Sequence, residues 1–134
     1  MPLSTPVQPA AMPTPKGHSS PGVVANGLVF VSGQLPMEPS TGQVISGDIE
    51  AQAERALRNV ELVLVAAGSS LDQVVQMTIY ISDGDLWAAV NAVYARIMGS
   101  HRPARAIVPV SPLHYGALIE IQAVALAPRL LSDQ

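Results

Sequence analysis

The 134-residue chain contains no cysteine, which excludes disulfides, thiolate metal sites and thiol catalysis. Charge is scarce as well: Asp, Glu, Lys and Arg make up 13% of the residues, about half the share usual in a soluble domain. Lys16 is the only lysine and the formal net charge is −3. Such a balance offers no electrostatic footprint for nucleic acid, and no nucleic-acid partner is expected. The longest apolar run, Leu62 to Ala67, is far short of the ~20 residues that cross a bilayer. No basic start followed by an apolar stretch marks a signal peptide, so neither a leader nor a membrane partner is expected, and the expected location is the cytoplasm. His18, His101 and His114 stand isolated, with no H-x-x-x-H pair and no carboxylate at ligand spacing, so no metal site is expected. Neither G-x-G-x-x-G nor G-x-x-x-x-G-K-[ST] occurs, and Ser32 is not part of a G-x-S-x-G elbow; phosphate cradles and that type of serine nucleophile are excluded.

What is present is a 49% apolar chain whose remainder is rich in neutral polar residues, Gly and Pro. Its length suits one domain that builds its core without staples. So few charges leave much uncharged surface, and burial of that surface against further copies predicts a homo-oligomer. Six prolines (Pro2, Pro6, Pro9, Pro13, Pro15 and Pro21) fall within the first 21 residues. Proline lacks the N–H that a ladder or helix needs, so residues 1–16 read as an extended arm that adds little to the core. Residues 17–134 read as the single domain.

Asn26-Gly27, between Val23-Val24-Ala25 and Leu28-Val29-Phe30-Val31, is a hairpin signal. Pro36, Pro39, Thr41 and Gly42 mark a loop or a second turn. Ile49, Ala53, Ala56, Leu57, Val60, Val63, Leu64 and Ala67 recur at helical spacing, with Asp48 as N-cap and Gly68 past the end. Val74 to Ile81 alternates as a half-buried strand. Leu86, Val90, Val93, Tyr94 and Ile97 trace a second helix that closes near Gly99. Ala104 to Val110 and Ala117 to Leu126 are the last two strands. The order β-β-α-β-α-β-β predicts an α+β domain with two helices on one face of a mixed sheet.

Two charges stand alone in apolar strands: Arg105 within Ala104-Arg105-Ala106-Ile107-Val108, and Glu120 within Leu118-Ile119-Glu120-Ile121-Gln122. Buried alone, each is costly. One reading is a structural Arg–Glu ion pair, or outward charges guarding a strand edge. The other is an Arg that forks onto a substrate carboxylate beside a Glu that handles protons. Asn91 reads as a helix-surface or capping residue or as a substrate contact. His114-Tyr115 reads as a turn feature or a base, Trp87 as packing, and Gly33 as a backbone bend.

Five ordered segments carry a resemblance: Val29-Phe30-Val31-Ser32-Gly33-Gln34-Leu35-Pro36, Gly47-Asp48-Ile49, Val90-Asn91-Ala92-Val93-Tyr94, Pro103-Ala104-Arg105 and Ile119-Glu120-Ile121-Gln122-Ala123-Val124-Ala125. From about Gly17 to Ala127 the chain resembles the RidA/YjgF (reactive intermediate deaminase) family. The resemblance implies a chorismate-mutase-like α+β fold and a homotrimer with clefts between subunits. It also implies cofactor-free hydrolysis of 2-imino or enamino acids to 2-keto acids and ammonia. Arg105 would then bind the carboxylate and Glu120 would position or activate the attacking water. Ser32, Gly33 and the backbone at Ile107 would line the cleft, with Asn91 near it. Ser19 stands where many imine deaminases of the family carry a tyrosine, and Ala106 and Ile107 where small polar residues or cysteine are common. A non-catalytic trimer that binds small carboxylates is the alternative. A ribonuclease reading, also attached to the family, fits a chain with one lysine poorly.

Overall fold

The structure is a computed structural model that describes residues 3–128. Its first element is one the proline count argued against. Strand β1 (Thr5–Val7) pairs antiparallel with β2 (Gly22–Ala25), Pro6 lying opposite Val23. Val7 is buried in the core and Pro9 is buried as well. The arm is extended as expected, yet it is docked rather than idle. An edge strand needs ladder donors on one side only, which is where proline is tolerated in a sheet.

Asn26 and Gly27 both take positive φ, 53° and 78°, the turn geometry whose twist suits a two-residue hairpin. They join β2 to β3 (Leu28–Gln34). The loop expected around Pro36–Gly42 contains a small hairpin of β4 (Met37–Glu38) and β5 (Gln43–Val44). Helix α1 (Ile49–Ala66) starts where Asp48 accepts a hydrogen bond from the Ala51 N–H at 3.0 Å, and it ends before Gly68 at φ 78°. Strand β6 (Val74–Ile81), helix α2 (Trp87–Met98), β7 (Ala104–Pro109) and β8 (Ile119–Leu126) follow. The expected start of the last strand, Ala117, lies in the approach to it, after a short turn at His114–Gly116.

The six main strands form one mixed sheet in the order β1-β2-β3-β8-β6-β7, parallel only between β6 and β7. Both helices cover one face. Val29, Val31, Met77, Ile79, Ile81, Ile119 and Ile121 meet Leu57, Val60, Val63, Leu64 and Val90 there, all nearly inaccessible to solvent. At Gly22 the layers approach so closely that a Cβ would lie 2.6 Å from Val63 Cγ1, so only glycine fits without displacing the helix. Arg105 and Glu120 are the only charged residues in the six strands. The second face is uncovered and exposes Phe30, Val75, Val108 and Leu126. The sheet ends at β1 and β7, and each of these edges carries a proline, Pro6 and Pro109. None of the described helices is long and apolar enough to cross a membrane.

Deleting residues 1–11 therefore removes a paired strand and a core valine, worth about 2 kcal/mol for the side chain alone. A fall in melting temperature on the order of 5 °C is expected. A deletion variant that melts with the full chain would show that the arm does not contribute to the core.

Candidate functional site

Strand alternation decides where the two lone charges go. Arg105 pairs with Met77 in the β6–β7 ladder, and Met77 is fully buried beneath the helices. Neighbours across a ladder share a face, so Arg105 points into the helix layer. Glu120 pairs with Tyr80 and lies between the buried Ile119 and Ile121, so it points out of the opposite, uncovered face. A structural Arg105–Glu120 ion pair within one chain is thereby overturned. The described residues hold two ion pairs, Arg58–Glu61 and Arg96–Glu54, and neither involves the strand charges.

Each charge has its own surroundings. Arg105 Nη1 donates to Asn91 Oδ1 at 2.8 Å. Its guanidinium also lies over two rings, 4.8 Å from the Tyr94 centroid and 5.6 Å from that of Trp87, which is cation–π geometry. One side chain on α2 therefore orients the guanidinium and two aromatic faces support it, while no described carboxylate pairs with it. The Tyr94 hydroxyl is buried without a partner among the described residues. Burial raises its pKa above the ordinary value, against the lowering pull of Arg105. Asn91 thus touches Arg105, and Trp87, expected only to pack, lies over its guanidinium. Ile107 lies on the same face of β7, packed against the core.

Glu120 belongs to the other half. Between Val31 and Gln34 the β3–β8 register slips by one residue; this bulge contains Ser32 and Gly33. Bulges bend a strand and re-aim its residues. Here the bend brings the backbone of Gly33 against the Glu120 carboxylate, in the space a Cβ at position 33 would take. A side chain there would push the carboxylate out of its present position. Burial pushes the Glu120 carboxyl above its ordinary value near 4.5, and the nearby His114 pulls it back down. Desolvation disfavours the ionised form and a cation restores it.

Beside Glu120 opens a cavity of about 760 Å³, lined among others by Lys16, Ser19, Ser32, Gly33, His114 and Tyr115. The Ser32 hydroxyl donates to the Ser20 carbonyl at 2.6 Å and its N–H donates to Pro21 O at 2.9 Å, which fastens the segment before β2 to the bulge. Two buried amides of α1 hold the flanks. Asn59 Nδ2 donates to the carbonyls of Leu35 and Met37 at 3.0 and 2.8 Å, just after the bulge. Gln52 Oε1 accepts from the Leu118 N–H at 2.9 Å, two residues before Glu120. Of the residues expected at a site, Ser19, Ser32 and Gly33 line this cavity and Glu120 lies against Gly33, whereas Asn91, Arg105 and Ile107 gather on the far side of the sheet. Lys16, Tyr94, Asn59 and Gln52 were missed. A polar residue within an apolar helical stripe was the available signal for the last two.

The family model described as Endoribonuclease L-PSP matches residues 9–127. A RutC family protein of Pyrococcus horikoshii is 42% identical over 113 residues, 84% of this chain and 90% of its own length. Human 2-iminobutanoate/2-iminopropanoate deaminase is 37% identical over 124 residues, 92% of this chain and 88% of its own. The crystal structure of Escherichia coli TdcF with bound serine superposes with a TM-score of 0.86 at 34% identity, covering 92% of this chain and 99% of that one. The α+β arrangement of two helices on a sheet is common to this chain and that structure.

The raised Glu120 pKa has a consequence for stability. A carboxyl whose folded-state value exceeds the unfolded one stabilises below the unfolded value, and that contribution is lost as pH rises through the folded value. Glu120→Gln should therefore melt higher than the parent chain near pH 7.5, with the difference vanishing below about pH 4. Solvent screening at a half-buried group keeps the gain under about 1 kcal/mol. A pH-independent difference in melting temperature, measured by calorimetry, would show that charge burial is not its cause.

Proposed function

The chain belongs to the RidA/YjgF family, whose Endoribonuclease L-PSP model spans residues 9–127, and on that premise we propose that it hydrolyses 2-imino or enamino acids to 2-keto acids and ammonia. The reading is supported by a relative named 2-iminobutanoate/2-iminopropanoate deaminase and by the serine-bound structure of another. The observation that carries it is the separation of Arg105 and Glu120 onto opposite faces, each held ready and neither paired with the other. One chain alone cannot bring a carboxylate-binding fork and a proton-handling carboxyl to one small molecule. Two chains can, if the uncovered face of one lies against the α2–β7 edge of the next. A closed ring of three satisfies every such contact with a single head-to-tail interface. The uncharged residues of the open face, Phe30, Val124 and Leu126 among them, are what such an interface buries.

In this site Arg105, fixed by Asn91, forks onto the substrate carboxylate and directs the imine carbon toward Glu120 of the neighbouring subunit. Glu120 accepts a proton from water as the water oxygen attacks that carbon. The backbone of the Ser32–Gly33 bulge and Ser19 border the reacting atoms, and Ile107 closes the Arg105 side. No cofactor takes part. The reading that favours binding without turnover has one observation behind it: the Ser32 hydroxyl is already committed to Ser20. Ammonia release distinguishes the two readings.

The test uses 2-iminopropanoate and 2-iminobutanoate generated in place. Arg105→Ala and Glu120→Gln should each lower kcat/KM at least about 100-fold, and Arg105→Lys, which keeps charge without the fork, nearly as far. Co-expressed Arg105→Ala and Glu120→Gln chains should recover activity, about one quarter of the parent level for random mixing around a ring. Full turnover by a folded Arg105→Ala variant would refute the assignment, and failure of the mixed chains to recover would place both groups in one subunit's site. Sedimentation equilibrium should give three times the chain mass.

A further inference from the structure

The turn before β8 is built in an uncommon way. Tyr115 takes φ 57° and ψ 25°, and Gly116 follows at φ 71°. A left-handed tyrosine is unusual, and for a large aromatic side chain the conformation costs on the order of 1 kcal/mol. A strained backbone of this kind persists where the surrounding structure holds it, and it gathers at functional positions. Its local result is that the His114 and Tyr115 rings meet with centroids 3.8 Å apart, tilted by 46°. Both line the cavity with Ser32 and Gly33, and Gly33 is the residue pressed against the Glu120 carboxylate. His114 is exposed in the single chain, and neither ring nitrogen is engaged in a hydrogen bond among the described residues.

Other polar groups around Glu120 are committed or of the wrong kind. Tyr80, opposite Glu120 in the ladder, donates its hydroxyl to Gln122 Oε1 at 3.1 Å. Glu38, also in the cavity wall, accepts from Ser40 at 3.1 Å and is an acid like Glu120. Lys16 reaches the cavity from the arm as a point charge, and Tyr115 is a phenol. Arg105 of the same chain lies on the far face. Imidazole is the side chain that both gives and takes a proton near neutral pH.

We propose that His114 is a second catalytic residue of the site, the proton donor to the imine nitrogen and the partner that completes the proton circuit of Glu120. The inference rests on the deaminase reading above. In the first step the water oxygen bonds to the imine carbon, one water proton passes to Glu120, and the C=N π pair takes the proton of the His114 imidazolium. A neutral carbinolamine results. In the second step its nitrogen takes the proton from Glu120 and the C–N bond breaks with its electron pair on nitrogen. The hydroxyl oxygen forms the carbonyl and its proton returns to His114. Ammonia and keto acid leave, and both side chains regain their starting states. A positive charge at His114 opposes the burial that raises the Glu120 carboxyl and favours its ionised form.

His114→Gln and His114→Ala test the proposal, since an exposed turn residue is replaceable without loss of fold. Against 2-iminobutanoate, kcat should fall between about 10-fold and 1,000-fold, with the alkaline limb of the kcat/KM profile lost. Added imidazole should restore part of the His114→Ala rate. In carbon-13 titrations the Glu120 carboxyl should titrate at higher pH in His114→Gln than in the parent chain. A parent chain that turns over imine while His114→Gln keeps its kcat and pH profile would overturn this inference alone. A parent chain without turnover would overturn the deaminase reading and this inference with it.

Discussion

Alternation along a β-strand is the constraint from which the rest of the molecule follows. With a side-chain period of two, Met77 and Ile79 must enter the helix layer if the core is to close, and the ladder then assigns Arg105 to that layer and Glu120 to the other face. A slip of one residue in either strand would exchange these faces and expose the core. The core and the placement of the two charges are thus one decision. Neither charge can be moved to its partner's side without turning a strand of isoleucines and alanines outward.

Helix α1 transmits that order to the loops. Its apolar stripe supplies Leu57, Val60, Val63 and Leu64 to the core, and the same stripe holds Gln52 and Asn59, both buried. A buried amide without partners is costly; here each one is satisfied by loop backbone, Asn59 by Leu35 and Met37, and Gln52 by Gly47 and Leu118. The chain segments on either side of Gly33 and Glu120 are therefore indexed to a rigid helix rather than to one another. The cavity inherits its shape from hydrogen bonds made on its dry side.

Much of this was legible in the residues. Period 3.6 located both helices, period 2 located β6, and Asn26-Gly27 marked the first hairpin with the torsions it adopts. The family resemblance named Ser19, Ser32, Gly33, Asn91, Arg105, Ile107 and Glu120. What composition concealed was β1, because prolines argue against a ladder unless the strand is known to be an edge, and edges are a property of the whole sheet. The separation of Arg105 from Glu120 was hidden for the same reason. Each strand alone shows only its own alternation, and which phase faces the helices emerges when β6 pairs with both neighbours. His114-Tyr115 was legible as a turn or a base, but the left-handed tyrosine was not, since nothing in a dipeptide announces that torsion.

The two prolines at the ends of the sheet bear on what the sheet can pair with. Pro6 in β1 and Pro109 in β7 each remove a donor from an outermost strand, and a strand short of donors is a poor template for another chain's backbone. Growth of the sheet sideways, the route to runaway fibrous stacking, is blunted at both margins. The apolar surface left over lies flat on the uncovered face, where recognition depends on side-chain shape rather than on generic main-chain pairing. A chain so arranged can carry an apolar face in the open while the margins of its sheet resist pairing with stray strands.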